Sequence, residues 1–120
     1  MLDFLKKVEL FAGLPPADLE RLGRIVEEVK LPAGQELFAE GSPGDRAYII
    51  QKGELEVVKS SDGHEVLLEV HANKPGLVIG EMALLEEAPR MASVRACSDT
   101  VLLSIQKEQF EHILETSPTA

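Results

Sequence analysis

"SSDGHEVLLEV", residues 60–70, is the stretch on which the fold turns. Its first half is polar and ends in Asp62-Gly63, a pair that accepts the positive φ angles of a tight hairpin turn. Its second half alternates: Val66, Leu68 and Val70 fall on one side of an extended chain, with Glu65, Leu67 and Glu69 on the other. The same alternation returns in "TVLLSIQ", residues 100–106, through Val101, Leu103 and Ile105. From Val29 onward, Gly34, Gly44, Gly53, Gly63 and Gly76 recur at intervals of roughly ten residues, the spacing of turns in a sandwich or barrel of short antiparallel strands. The central part of the chain therefore reads as mainly β, an antiparallel β-roll or jelly roll of about eight strands over residues 29–106.

The flanks read differently. Phe4, Leu5, Val8 and Phe11 recur at helical spacing, which predicts a helix over residues 3–12 before "GLPP" interrupts it. Leu19, Leu22 and Val26 line one face of a second predicted helix over 16–28, while Glu20, Arg21, Arg24 and Glu27 take the others. After the roll, "KEQFEHILE" puts Phe110, Ile113 and Leu114 on one side of a closing helix over 107–115. No repeat or linker divides the chain, so residues 1–120 are expected to form one domain.

Composition narrows the function classes. At 44% hydrophobic residues, 120 residues suffice for one core without staples. Twelve basic against twenty-one acidic side chains leave a net charge of −9, which opposes nonspecific binding to DNA or anionic membranes, so an anionic ligand needs a local site. No apolar run approaches the roughly 20 residues of a membrane span, and the amino terminus carries no secretory cleavage pattern; a soluble, cytoplasmic protein is expected. Cys97, the single cysteine, excludes an intrachain disulfide framework and is expected as a small buried residue on a strand.

Chemistry concentrates in "GEMALLEEAPRMASV", residues 80–94. A short helix opening near Glu81 would leave backbone N–H groups unpaired at its start, a geometry suited to an anion. Arg90 adds a full positive charge and a planar fork of donors. For this stretch alone a purely structural reading is the stronger one: Glu81 caps the helix, Arg90 pairs with Glu86 or Glu87, and Met82, Leu84 and Leu85 fill the roll.

A second segment bears on that choice. The stretch Gly80-Glu81-Met82-Ala83-Leu84 followed by Pro89-Arg90-Met91-Ala92-Ser93-Val94 resembles the phosphate-binding cassette of the cyclic nucleotide-binding domains found in catabolite activator regulators, cyclic-nucleotide-dependent kinase regulatory subunits and gated channels. Upstream, "EGSPGDRAYIIQKGELEV" resembles the same family's second signature through Gly44, Asp45, Tyr48, Ile50 and Gly53. The resemblance covers essentially the whole chain. It implies that Arg90 holds a cyclic phosphate, that Glu81 accepts a hydrogen bond from the ribose 2′-hydroxyl, and that Gly80 lets the backbone approach the sugar. The amides near Met82, Ala83 and Ala92 complete the cradle. Met91 departs from the Ala, Ser or Thr common at its place; lacking a hydroxyl, it implies cyclic AMP as ligand rather than cyclic GMP. No other cofactor is implied.

The resemblance further implies a noncatalytic regulatory domain. Ligand binding would order residues 80–90, repack Leu84 and Leu85, and shift the helix carrying Phe110, Ile113 and Leu114, relaying occupancy to an unidentified effector. The segment after Ile105 is too short for the dimerisation helix and DNA-reading module of the transcription factors, so no DNA-binding module is expected in this chain; homodimerisation stays open. Two other function classes compete with this one. Metal catalysis of the kind found in small rolls needs clustered ligands, whereas His64, His71 and His112 are far apart in sequence and read as surface or turn residues. A ligand-free roll serving as an interaction or dimerisation domain fits the charge, but places Glu81 and Arg90 together at a concave site with no physical return for the cost of burying them.

Overall fold

The architecture was read from a computed structural model, which describes residues 2–116. Ten strands form among these residues: β1 (Glu27–Leu31), β2 (Glu36–Phe38), β3 (Pro43–Gly44), β4 (Arg46–Lys52), β5 (Glu54–Ser61), β6 (His64–Ala72), β7 (Val78–Ile79), β8 (Ala88–Pro89), β9 (Ser93–Ala96) and β10 (Thr100–Gln106). One four-stranded sheet has the order β1-β10-β4-β7, a second β2-β9-β5-β6, and β3 and β8 pair as a small ribbon. All pairings are antiparallel, as expected of a β-roll.

The chain is helical only at its ends. α1 covers Leu2–Leu5, a short 3-10 turn follows at Glu9–Phe11, α2 spans Pro16–Ile25, and α3 spans Lys107–Thr116. The helix expected over 3–12 is thus broken in two, with Lys7 and Val8 N–H groups closing tight turns onto the Phe4 and Leu5 carbonyls. Both pieces still point their apolar side chains inward: Leu5, Val8 and Phe11 are buried. The second helix stops at Ile25 rather than 28, because Glu27 and Glu28 pair with Ser104 and Leu103 of β10; sheet pairing outcompetes the helical continuation.

Two apolar clusters hold these parts together. Between the sheets lie Leu31, Ile50, Leu55, Ile79, Val94, Ala96 and Leu102. On the other side of the first sheet, Ala47, Ile49, Leu103 and Ile105 pack against Leu5, Phe11, Leu22, Phe110 and Ile113 of the helical segments. β4 and β10 are therefore covered on both faces, which explains why Leu102 and Leu103, adjacent in sequence, are both buried. Each such leucine contributes about 2 kcal/mol of transfer free energy. Phe11 and Phe110 meet with ring centroids 6.1 Å apart, fastening α3 to the amino-terminal segment.

The hairpin of residues 54–72 forms as its turn chemistry dictates: Ser61 pairs with His64, and Asp62 and Gly63 take φ of 51° and 80°. β6 is the edge of its sheet, and its Val66, Leu67, Leu68 and Val70 are all exposed. The register also steps from Val57↔Glu69 to Val58↔Leu67, leaving Leu68 without a partner across the ladder. Cys97 is exposed, not buried: it follows β9 in a bend, anchored by its N–H on the Glu54 carbonyl at 2.8 Å.

Candidate functional site

The site begins where β7 ends. Its pairing with β4, Tyr48↔Ile79 and Ile49↔Val78, delivers Gly80 to the rim of the roll. Gly80 adopts φ 74°, turning the chain into a single 3-10 turn, Glu81–Leu84. Leu84 plugs this turn into the helical cluster beside Phe110 and Ile113, and Ala83 is buried beneath it. Leu85, expected to share that packing, is exposed, because the turn ends before its side chain can swing inward. Leu114 likewise lies at the margin of α3.

The chain returns through the β3–β8 ribbon, where Pro43 opposes Pro89 and Gly44 opposes Ala88. Gly44 has no room for a side chain: a Cβ there would lie 2.8 Å from the Ala88 carbonyl and 3.2 Å from Arg90 Nε. Beyond the ribbon, Arg90 donates its N–H to the Ser42 carbonyl and accepts from Gly41 N–H, both at 2.8 Å, so its backbone is clamped on both sides.

The Arg90 side chain is 8% exposed and lies over the Phe38 ring, 4.1 Å from its centroid; Phe38 in turn stacks on Tyr48. Nη2 donates to the Arg46 carbonyl at 2.7 Å, while buried Nε has no partner. Among the described residues no carboxylate pairs with Arg90, so the ion pair with Glu86 or Glu87 is not formed. Burial pushes its pKa down, opposed by Tyr48 and Asp45 and aided by Arg46. Arg90 is thus a buried cation resting on an aromatic face and a backbone carbonyl, with no carboxylate paired to it among the described residues.

Gly80 serves that cation directly. A Cβ at this position would stand 2.5 Å from Arg90 Nη1, so the missing side chain is what lets the guanidinium pass.

Gly80, Glu81, Met82, Ala83, Arg90, Met91 and Ala92 all line one cavity of about 470 Å³. The residues that sequence reasoning missed form its floor: Phe38, Val94, Val57 and Glu69 lie opposite one another across β2, β9, β5 and β6. Three strand spacings of about 4.8 Å separate the ends of that row, so it runs roughly 14 Å from the face under Arg90 to Glu69. His71, read from sequence as a surface or turn residue, lines the Glu69 end; its Nε2 is 2.7 Å from Glu69 Oε2, and its Nδ1 is buried without a partner. The alternation of Glu69 and His71 on one strand was the only local signal for this pair. His64 and His112 are not among the cavity's lining residues, and no group of three or more potential metal-ligating side chains occurs among the described residues.

Comparison with known proteins bears on this geometry. Residues 28–117 match the family model of the cyclic nucleotide-binding domain. The chain is 33% identical over 111 residues to a cAMP-dependent protein kinase regulatory subunit of Aspergillus niger, covering 92% of this chain and 26% of that protein. It is 29% identical over 117 residues to a CRP-like cAMP-activated global transcriptional regulator of Mycobacterium tuberculosis, covering 97% of this chain and 51% of that one. The chain thus spans between a quarter and a half of these relatives. Among solved structures, the regulatory domain of Toxoplasma gondii PKA in co-crystal with cAMP superimposes with a TM-score of 0.85 at 36% identity, over 93% of this chain and 42% of that one.

Proposed function

This chain belongs to the cyclic nucleotide-binding domain family, and we propose that its cavity takes a cyclic nucleotide, cyclic AMP, in a noncatalytic regulatory role. The observation that carries the reading is Arg90: a buried guanidinium with an orphaned Nε, no acidic partner among the described residues, and an open cavity beside it. A phosphodiester anion supplies the missing charge. Exposed Glu81, on the same rim, accepts the ribose 2′-hydroxyl; a carboxylate there would repel the phosphate and so belongs to the sugar. With the phosphate over Phe38, the roughly 14 Å floor carries the base toward Glu69 and His71. Met91, 80% exposed and without a hydroxyl, offers apolar cover to a base and no hydrogen bond, which favours cyclic AMP over cyclic GMP.

Occupancy would reach the rest of the molecule through Leu84, the one residue of the 3-10 turn embedded beside Phe110 and Ile113 of α3. The effector, as a separate cytoplasmic protein or a neighbouring domain, would read the position of that helix. No described helix is long and apolar enough to cross a membrane. A second reading, an interaction or homodimerisation domain, has one observation in its favour: the exposed Val66, Leu67, Leu68 and Val70 of β6.

Calorimetric titration with cyclic AMP, cyclic GMP and 2′-deoxy cyclic AMP tests the assignment. We expect cyclic AMP to bind most tightly and Glu81→Gln to narrow the preference for the 2′-hydroxyl. A folded chain that gives no heat or thermal shift with millimolar cyclic AMP would overturn it in favour of the interaction domain.

A further inference from the structure

We propose that Lys59 is a positioning residue of the anion site, fixing the peptide between Met91 and Ala92 so that the Ala92 N–H faces Arg90. The inference rests on the cavity being an anion site, as argued above. Lys59 stands on β5, one residue beyond the pairs Val57↔Val94 and Val58↔Ser93, where the ladder with β9 stops. In place of a ladder bond, its ammonium donates to the Met91 carbonyl at 2.8 Å.

A trans peptide is planar and its C=O and N–H point in opposite directions, so holding one end aims the other. β9 lies between β5 and β2. A Met91 carbonyl drawn toward β5 turns the Ala92 N–H toward β2, the side on which the Arg90 guanidinium rests over Phe38. That N–H makes no hydrogen bond among the described residues. Among the described residues no other hydrogen bond holds this peptide, and the Met91 side chain is 80% exposed. The preceding peptide is held in a comparable way, with Gly41 N–H on the Arg90 carbonyl. A cation on the carbonyl oxygen also polarises the peptide, strengthening its N–H as a donor to an anion.

The test compares the full chain with Lys59→Met and Lys59→Arg, by calorimetry with cyclic AMP and by the amide resonance of Ala92. Lys59→Met is expected to weaken cyclic AMP by about three- to tenfold, the scale of one exposed charge acting on an oriented peptide. Lys59→Arg should restore affinity to within about twofold, and the unfolding midpoint should be the same in all three, since the contact is exposed. The Ala92 amide proton should move downfield on ligand addition in the wild type and much less in Lys59→Met. Equal affinities for wild type and Lys59→Met, or a failure of Lys59→Arg to restore, overturn the proposal. If the wild type binds no cyclic AMP, the functional reading falls separately, and inorganic phosphate becomes the probe. A phosphate-dependent shift of the Ala92 amide that Lys59→Met abolishes upholds the role of Lys59, and no shift in the wild type removes it.

Discussion

Replacing Arg90 by methionine should separate folding from binding. The substitution removes a charge-assisted hydrogen bond to the Arg46 carbonyl, worth about 1.5–3 kcal/mol, and a cation–π contact with Phe38 worth about 0.5–2 kcal/mol. It also removes a buried charge with no acidic partner, whose desolvation costs several kcal/mol, and the orphaned Nε, which costs about 1–3 kcal/mol. Methionine keeps apolar contact with the Phe38 ring. These terms nearly cancel, so urea unfolding without ligand should place Arg90→Met within about 1 kcal/mol of the wild type, on either side. Affinity for cyclic AMP has no such compensation: losing the partner of a desolvated anion costs about 2–5 kcal/mol, roughly a thirtyfold to several-thousandfold rise in Kd. A variant destabilised by more than about 3 kcal/mol would mean that Arg90 is a structural fastener. A variant that is stable and still binds cyclic AMP normally would remove the guanidinium from the site.

Three further outcomes follow from particular contacts. Gly80→Ala must adopt φ 74° and displace Arg90 Nη1, 2.5 Å from the new Cβ; because that atom ends a flexible side chain, the stability loss should stay near about 1 kcal/mol while cyclic AMP affinity falls about tenfold or more, by urea titration and calorimetry. Gly53→Ala faces backbone instead, with the Thr100 Cα 2.6 Å from the new Cβ and φ at 110°, so unfolding should show a loss of about 3 kcal/mol. Desolvation of the sulfur by its neighbours, followed by the Glu56 and Glu54 carboxylates, raises the pKa of the exposed Cys97 thiol, so below that raised value it remains protonated and should react with a disulfide reagent at pH 8 more slowly than free cysteine; Glu56→Gln should speed it.

The roll was legible because its determinants are local. Asp62-Gly63 specifies a hairpin whatever surrounds it, and recurring glycines mark turns through backbone freedom that needs no tertiary partner. Gly80, Glu81 and Arg90 stand at readable intervals along the chain, and the fold brings all three to the lining of one cavity. The errors lie where a distant segment outbids a local preference. Glu27 and Glu28 carry a helical pattern but gain more by pairing with β10, and although Val66, Leu68 and Val70 alternate as in a strand with a packed face, β6 is an edge strand that leaves them exposed. Alternation reports which side chains share a face; whether anything covers that face is a matter of topology.

What the amino-acid order determined by itself was therefore the class of fold, the place of the turns and the chemical groups that line the cavity. Only the tertiary structure decided how those groups are used. It laid Arg90 on Phe38, some fifty residues away in the chain, gave it a backbone carbonyl in place of a carboxylate, opened Gly80 to the guanidinium, and brought Glu69 and His71 to the far end of the same floor. Each of these depends on cross-strand register, which is set by the sum of pairings over both sheets and is carried by no single stretch of sequence.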